Sequence, residues 1–348
     1  MLDVLRVLFI PLVPVYALII GIRNSLFDIG IFKSKKVNAK VLSIGNLTVG
    51  GSGKTPTVIY VTKLLKKAGI KVGVLSRGYG RISKGYLLVG DGNEIKADVE
   101  TCGDEIYQTM LECLVPAAVS EKRVYGAEKL INDSAVSTIV LDDAFQHRWI
   151  HRDINILIFE QRFLLSKNRL RKLGLPTGNL REPFSATKRA DLIIINRKFS
   201  HKQNLPKEFQ KHLVGKNVFT AFFRAIGFVD IKTHVFYKPE EFRGQKSLVV
   251  SAVANPYSFL NALRQIDIET TNKMIFRDHK IYTESDIKNI RKQFYETNAQ
   301  SVLTTHKDAV KLAQFNRESD DIDIYYLQIE LDFDNKEEFD TYILSKIK

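Results

Sequence analysis

The sequence predicts an α/β fold built on a mostly parallel sheet, and two observations carry that expectation. Short runs rich in Val, Ile and Leu alternate with helix-period segments along most of the 348 residues, the pattern of βαβ units around a parallel sheet. One such run, residues 40–44, leads into Gly45-Asn46-Leu47-Thr48-Val49-Gly50-Gly51-Ser52-Gly53-Lys54-Thr55-Pro56. A strand, a glycine-rich turn and a helix start, in that order, are the setting of a phosphate-binding loop. The expected architecture is a P-loop NTPase core with a mostly parallel sheet, a short β linker and a smaller α/β C-terminal lobe, preceded by an apolar N-terminal membrane helix.

The first element is residues 1–22. Val7 to Ile22 is nearly all apolar, interrupted by Pro11, Pro14 and Gly21. Asp3 and Arg6 give little basic n-region and no small-residue cleavage site follows, which argues against a secretory signal. A transmembrane span needs about 20 apolar residues, and this run is slightly short and holds two prolines. A membrane-embedded or interfacial anchor fits, with Arg23, Lys33, Lys35 and Lys36 at headgroup level. A buried core helix is the alternative.

The core is expected over residues 23–215. Its strands are 40–44, 71–76, 136–141, 154–159 and 192–196, and its helices 57–67, 104–114 and 123–132. Residues 85–98 alternate and carry Asp91-Gly92, a hairpin signal. The basic, Gly- and Pro-containing stretch 167–183 reads as a long loop. Two β-type runs, 218–224 and 229–237, make a linker over 216–245. A second α/β unit over 246–348 follows, with strands at 247–252, 273–276, 301–304 and 323–328 and helices at 257–266 and 285–296. No internal repeat or low-complexity tract interrupts the chain.

Composition narrows the class. Hydrophobic residues make up 45% of the chain, enough for real cores and too many for a disordered protein. Lys and Arg number 52 against 39 Asp and Glu, a formal net charge of +13. That balance attracts polyanions, whether nucleic acid, anionic membrane or phosphorylated substrate. The two cysteines, Cys102 and Cys113, would stand about 16 Å apart on one helix, too far for a disulfide, and the chain reads as a reduced, cytosolic-side protein.

Several motifs carry chemistry. In the glycine-rich loop, the backbone N–H groups of Gly50, Gly51, Ser52 and Gly53 can converge on phosphate oxygens. The helix start adds free donors and the positive end of its dipole. Lys54 would reach the β- and γ-phosphates, and the Thr55 hydroxyl would take Mg²⁺. Thr48 stands where the strict G-x-x-x-x-G-K-[ST] pattern has glycine. The run 136–143 is an apolar strand ending in Asp142-Asp143, which places a carboxylate beside the phosphate loop. Asp142 is the better candidate for the metal, and turn-forming Asp residues at a strand end are the plainer reading. Ser76-Arg77-Gly78-Tyr79-Gly80-Arg81 follows another apolar strand and suits a phosphorylated or sugar-bearing ligand. Gly103-Asp104-Glu105 opens a helix, where Asp is a good N-cap and Glu suits the first turn. His279 and His306 are ambiguous. No His/Cys spacing suggests zinc, and no Gly-x-Ser-x-Gly suggests a hydrolase.

Taken together, these residues resemble the tetraacyldisaccharide 4′-kinase family, the lipid A 4′-kinases of Gram-negative bacteria. The resemblance spans nearly the whole chain. It rests on the apolar N-terminus, Gly45-Asn46-x-Thr48-x-Gly50-Gly51-x-Gly53-Lys54-Thr55-Pro56, Ser76-Arg77-Gly78-Tyr79-Gly80 and Gly103-Asp104-Glu105. It continues through Asp142-Asp143-x-Phe145-Gln146-His147, Leu180-Arg181-Glu182-Pro183, Asp278-His279 and Lys307-Asp308-Ala309-Val310. The family's loop has Thr at the place of Thr48. The chain departs from the family where Ala144 replaces a glycine, where Lys280 follows His279, and where His306 stands at a common Glu position.

The resemblance implies transfer of the γ-phosphoryl group of ATP to the 4′-hydroxyl of a tetraacylated glucosamine disaccharide 1-phosphate, giving lipid IVA. The place implied is the cytoplasmic face of the bacterial inner membrane, with no specific nucleic acid and no obligate protein partner. By resemblance Asp104 is the catalytic base, supported by His279 from the second lobe on closure. Thr48, Gly50, Gly51, Ser52, Gly53, Lys54 and Thr55 bind nucleotide. Mg²⁺ falls to Thr55 and Asp142, assisted by Glu105 or Asp143. Tyr79, Arg123, Gln146, His147, Arg181 and Glu182 contact the lipid substrate.

Two other function classes compete with this one. A P-loop kinase or ligase for a soluble metabolite gives no reason for an apolar N-terminus. A membrane-attached nucleotide switch should carry Asn-Lys-x-Asp for its base, and Asn196-Arg197-Lys198 is a poor echo. A nucleic-acid binder should interleave aromatic and basic residues or show a known module, and none is present.

Overall fold

A computed structural model describes residues 6–253, 255–278 and 280–347. The chain divides into two compact units, residues 1–222 with 333–348, and residues 223–332.

In the first unit the strands are β1 (Lys40–Asn46), β2 (Val72–Ser76), β3 (Leu87–Asp91), β4 (Pro116–Val119), β5 (Thr138–Asp142), β6 (Ile154–Glu160), β7 (Leu192–Asn196) and the start of β8 (Asn217–Asp230). Their order is β8-β7-β6-β1-β5-β2-β4-β3. Every pairing is parallel except β3 with β4. The α/β class and the mostly parallel sheet stand as expected. β2, β5 and β7 are buried along their whole length, which is why they read as unbroken apolar runs instead of alternating ones. Val58, Val61, Thr62 and Leu65 of the helix α2 (Lys54–Lys67) are buried at i, i+3, i+4 and i+7, one face of a helix against the sheet. β1 at the centre and the helix after it set the phosphate loop at the carboxyl ends of the strands, where α/β sheets bind ligands.

The expected hairpin over 85–98 is present only as a tight turn, with Lys96 N–H donating to Val89 O at 2.7 Å. The main partner of β3 is β4, four residues that the sequence reading missed. The two cysteines do not share a helix. Gly103, at φ +94°, ends α3 (Val99–Cys102) and starts α4 (Asp104–Cys113), and both thiols are free and buried.

The N-terminal helix α1 (Leu12–Asp28) has 17 residues. Among the described residues no helix is long and apolar enough to cross a membrane, so the membrane helix assigned to residues 1–22 has no support as a span. At 1.5 Å per residue α1 reaches about 26 Å, short of a hydrocarbon core of about 30 Å. It also runs on to Asp28, and its last turns are polar and tied to the unit. Asn24 donates to Glu182 at 2.7 Å and Arg148 pairs with Asp28 at 2.7 Å. Arg23, expected at headgroup level, instead donates to Gln146 O. α1 is not a buried core helix either: only Phe27 is buried, while Leu18 and Ile19 are 63% and 59% exposed.

In the second unit the order is β11 (Lys273–Ile275), β10 (Ser247–Ser251), β12 (Ser301–Thr305), β13 (Ile324–Phe333) and the end of β8, with β9 (Phe236–Tyr237) antiparallel on β8. β11, β10, β12 and β13 pair in parallel. The helix Glu284–Glu296 opens on a capping box, Asp286 N–H to Thr283 Oγ1 and Thr283 N–H to Asp286 Oδ2. It buries Ile287, Ile290 and Phe294 against Leu248, Val250 and Val302. β8 is one strand of 14 residues, where the sequence suggested two runs. The last helix, Lys336–Ile347, lies in the stretch assigned to the C-terminal lobe, yet it belongs to the first unit. There Phe339 stacks on Phe333 with ring centroids 3.8 Å apart, and Asp340 accepts from Tyr60 of α2 at 2.7 Å.

Candidate active site

The phosphate loop is held on the side where it meets the loop 179–182. Val49 N–H donates to Asn179 O at 2.8 Å, Arg181 N–H to Leu47 O at 2.7 Å, and Thr48 bridges Leu180. This pairing brings the Leu-Arg-Glu-Pro segment, distant in sequence, to the loop. Gly50 and Gly51 are exposed, Ser52 is buried, and Gly53 sits at φ +98° before the first residue of α2. A left-handed residue there needs glycine. Pro56 in the first turn has no N–H to lose. The first N–H groups of α2 and its dipole thus face the loop's concavity.

Lys54 Nζ lies 3.8 Å from Asp143 Oδ1. Burial alone would raise the Asp143 carboxyl, but Lys54, Arg181 and Arg123 together hold it below the usual carboxylate range. Arg181 grips it at both oxygens, 2.7 Å to Oδ1 and 3.1 Å to Oδ2. Asp142, one residue earlier, behaves in the opposite way. It is 4% exposed, and burial, then the negative charges of Glu105 and Asp143, raise it to about 7. Its Oδ2 accepts from Ser76 Oγ at 3.2 Å, while its Oδ1 is buried with no hydrogen-bond partner.

That orphaned oxygen decides whether a divalent cation suits the site. One oxygen of Asp142 is buried without a partner, and the negative charges of Glu105 and Asp143 act on the same carboxyl, so the setting is one of hard oxygens with an unmet demand for positive charge, although no group of three His, Cys, Asp or Glu side chains stands ready to hold a metal among the described residues. It fits Mg²⁺, which takes one or two protein carboxylates and completes its shell with phosphate and water.

Gly103 places Asp104. A Cβ on Gly103 would sit 2.9 Å from Tyr79 O, and its φ of +94° is one that side chains rarely adopt. This close approach lays the loop 76–81 along the start of α4. Asp104 is 8% exposed there, and Glu105 beside it acts on Asp142.

The profile of the tetraacyldisaccharide-1-P 4'-kinase family matches residues 5–348. The chain belongs to that family. Tetraacyldisaccharide 4'-kinase of Aquifex aeolicus is 35% identical over 313 residues, covering 88% of this chain and 90% of the relative. The enzyme of that name from Chlorobaculum parvum is 33% identical over 350 residues, covering 97% and 94%. A crystal structure of Aquifex aeolicus LpxK in complex with ATP superposes with a TM-score of 0.80 at 30% identity, over 99% of this chain and 100% of the other.

Within this member of the 4'-kinase family, the residues expected to act together fall into three groups. Lys54, Asp142, Asp143, Glu105 and Arg181 converge as described. Arg123, Gln146, His147 and Glu182 lie around them. Arg123 is 3% exposed, donates to Ser120 O and reaches Asp142 O at 3.5 Å, and burial lowers it to about 10. Gln146 donates to Asn46 O at 2.9 Å. His147 is lowered to about 4 by burial and by Arg123, Arg152, Arg23 and Arg77, so it is neutral at pH 7. Glu182 is 2% exposed and accepts from Asn24 and from Arg189 at 2.8 Å. Tyr79, on the loop that lies against Gly103, is 68% exposed. His279 lies outside the described residues.

The sequence reading missed Asn46, Ser76, Arg23 and Asn24 as parts of this constellation. The first two sit in motifs it had singled out. The polar last turns of an otherwise apolar α1 were the available signal for Arg23 and Asn24.

Proposed function

We propose that this protein transfers the γ-phosphoryl group of ATP to the 4′-hydroxyl of a tetraacyldisaccharide 1-phosphate, giving lipid IVA. The observation that carries the reading is the meeting of a phosphate loop, Lys54, the partly exposed Asp143 and the buried Asp142 in a chain matched by this family along residues 5–348.

The γ-phosphorus–oxygen bond to the β-phosphate breaks, and a new bond forms to the acceptor oxygen. Lys54 and the loop N–H groups bind the transferring and leaving phosphates and offset their charge. Asp104 takes the acceptor's proton. Thr55, Asp142 and either Glu105 or Asp143 would hold Mg²⁺, which when bound neutralises phosphate charge. Arg181 keeps Asp143 ionised and in place. Tyr79, Arg123, Gln146, His147, Arg181 and Glu182 orient the phosphorylated disaccharide, and the neutral His147 serves as a hydrogen-bonding group there. Positioning and charge account for the acceleration.

The acceptor is a lipid, and the exposed apolar side chains of α1, Leu18 and Ile19 among them, support a helix lying in the interface of the inner membrane on its cytoplasmic face. Mass spectrometry of the product tests the reaction. A gain of one phosphate located on the 4′-oxygen of the distal sugar agrees with the proposal, and phosphate found elsewhere on the lipid contradicts it.

A further inference from the structure

The strand ends β1 and β7 each finish in a fully buried asparagine, Asn46 and Asn196. Neither has an assigned role, and the second is the residue that echoed a base-reading motif. Both meet on Ser52, the buried residue in the middle of the phosphate loop. Asn196 Nδ2 donates to the Ser52 carbonyl oxygen at 3.1 Å, and Asn46 Nδ2 to the Ser52 hydroxyl at 2.9 Å. Each asparagine is fixed at its other end. Asn196 Oδ1 accepts from Lys198 N–H at 2.8 Å, and Asn46 Oδ1 accepts from Arg181.

We infer that Asn46 and Asn196 are positioning residues that pin Ser52 so that the loop presents its N–H groups to the phosphates of a nucleotide; this rests on the ATP reading above. The argument is the planarity of the peptide unit. The C=O of Ser52 and the N–H of Gly53 belong to one trans peptide and point in opposite directions. Binding the carbonyl to Asn196, on the sheet side, turns the Gly53 N–H away from the sheet and into the concavity of the loop. Gly53 at φ +98° then carries the chain into α2 with the next N–H groups on that same side. An exposed Gly50-Gly51 pair has little else to fix it, so an unpinned loop would sample many conformations and lose that order on binding.

The consequence is specific to the phosphates. Asn196→Asp keeps the size and the acceptor for Lys198 N–H, but removes the donor and sets a carboxylate against a carbonyl. The expected result is a Kd and a KM for ATP raised about 10-fold or more, the cost of one buried hydrogen bond and its unpaired partner. KM for the lipid acceptor stays within twofold in the folded variant, whose melting temperature falls because a carboxylate replaces a fully buried amide. Ser52→Ala removes only the hydroxyl contact and is expected to raise KM for ATP about 3- to 10-fold, which keeps the test decisive if the aspartate variant does not fold. Unchanged ATP affinity in a folded variant, or equal losses for ATP and lipid, overturns the inference while the kinase reading stands. A wild type that binds no ATP overturns both.

Discussion

Arg181 holds Asp143 by both carboxylate oxygens, at 2.7 and 3.1 Å, while Lys54 Nζ approaches the same carboxylate at 3.8 Å. Asp143 itself adopts φ +46°, an uncommon conformation for a residue with a side chain. A planar fork matches a carboxylate in a way that an ammonium group cannot. Arg181 therefore fixes where the negative charge beside Lys54 stands, and it ties that charge to the segment that also anchors the phosphate loop.

Arg181→Lys tests the fork. The charge is retained and the two-point grip is lost. We expect kcat/KM to fall about 10- to 100-fold, with the fold intact by thermal melting. Steady-state kinetics with ATP and lipid acceptor measure it.

Asp142→Asn separates stability from activity. A carboxyl whose folded value is raised to about 7 from an ordinary value near 4 stabilises the fold only while protonated. That contribution is fully present below about pH 4 and is lost as pH rises to about 7. At pH 8 the neutral amide should raise the melting temperature of the nucleotide-free protein by roughly 2–4 °C, and activity should fall at least about 100-fold. A lower melting temperature in this variant would contradict the placement of that charge.

His147 acts with the opposite sign. Its folded value, about 4, lies below an unfolded value near 6.5, so stability is present above about pH 6.5 and is lost as pH falls toward 4. Because Asp142 offsets it over much of that window, the comparison is between variants. His147→Gln should flatten the fall of melting temperature between pH 6.5 and 4 relative to wild type, an effect on the order of 2 kcal/mol at the acid end.

The apolar surface of α1 makes a prediction about lipid. Leu18→Glu with Ile19→Glu should weaken partition onto anionic phospholipid vesicles, read by co-sedimentation, by about 100-fold or more, since each buried large apolar side chain is worth roughly 1.5–3 kcal/mol. The melting temperature should hold, because both side chains point away from the unit.

The central strands and the phosphate loop were legible because parallel strands are continuously apolar and Gly-Lys-Thr follows one of them. β4 was not, since Pro116-Ala117-Ala118-Val119 is four residues with little apolar bulk. The last helix carried a readable signal, Phe339, Ile343 and Ile347 at i, i+4 and i+8, masked by its charged residues. Pairings across long sequence distance had no signature at all. Asn46 and Asn196 read as polar strand ends, and only folding shows that both end on Ser52. The pairing of Arg181 with Asp143, 38 residues apart, is likewise a product of the loop 179–182 closing on residues 47–49.

The most direct measurement is transfer of labelled γ-phosphate from ATP to purified tetraacyldisaccharide 1-phosphate in detergent, with wild type and Asp104→Ala side by side and ATP binding measured for both. The account predicts transfer by wild type and its loss by about 100-fold or more in the variant, with ATP affinity retained. A folded, ATP-binding wild type that transfers nothing to this lipid would contradict it.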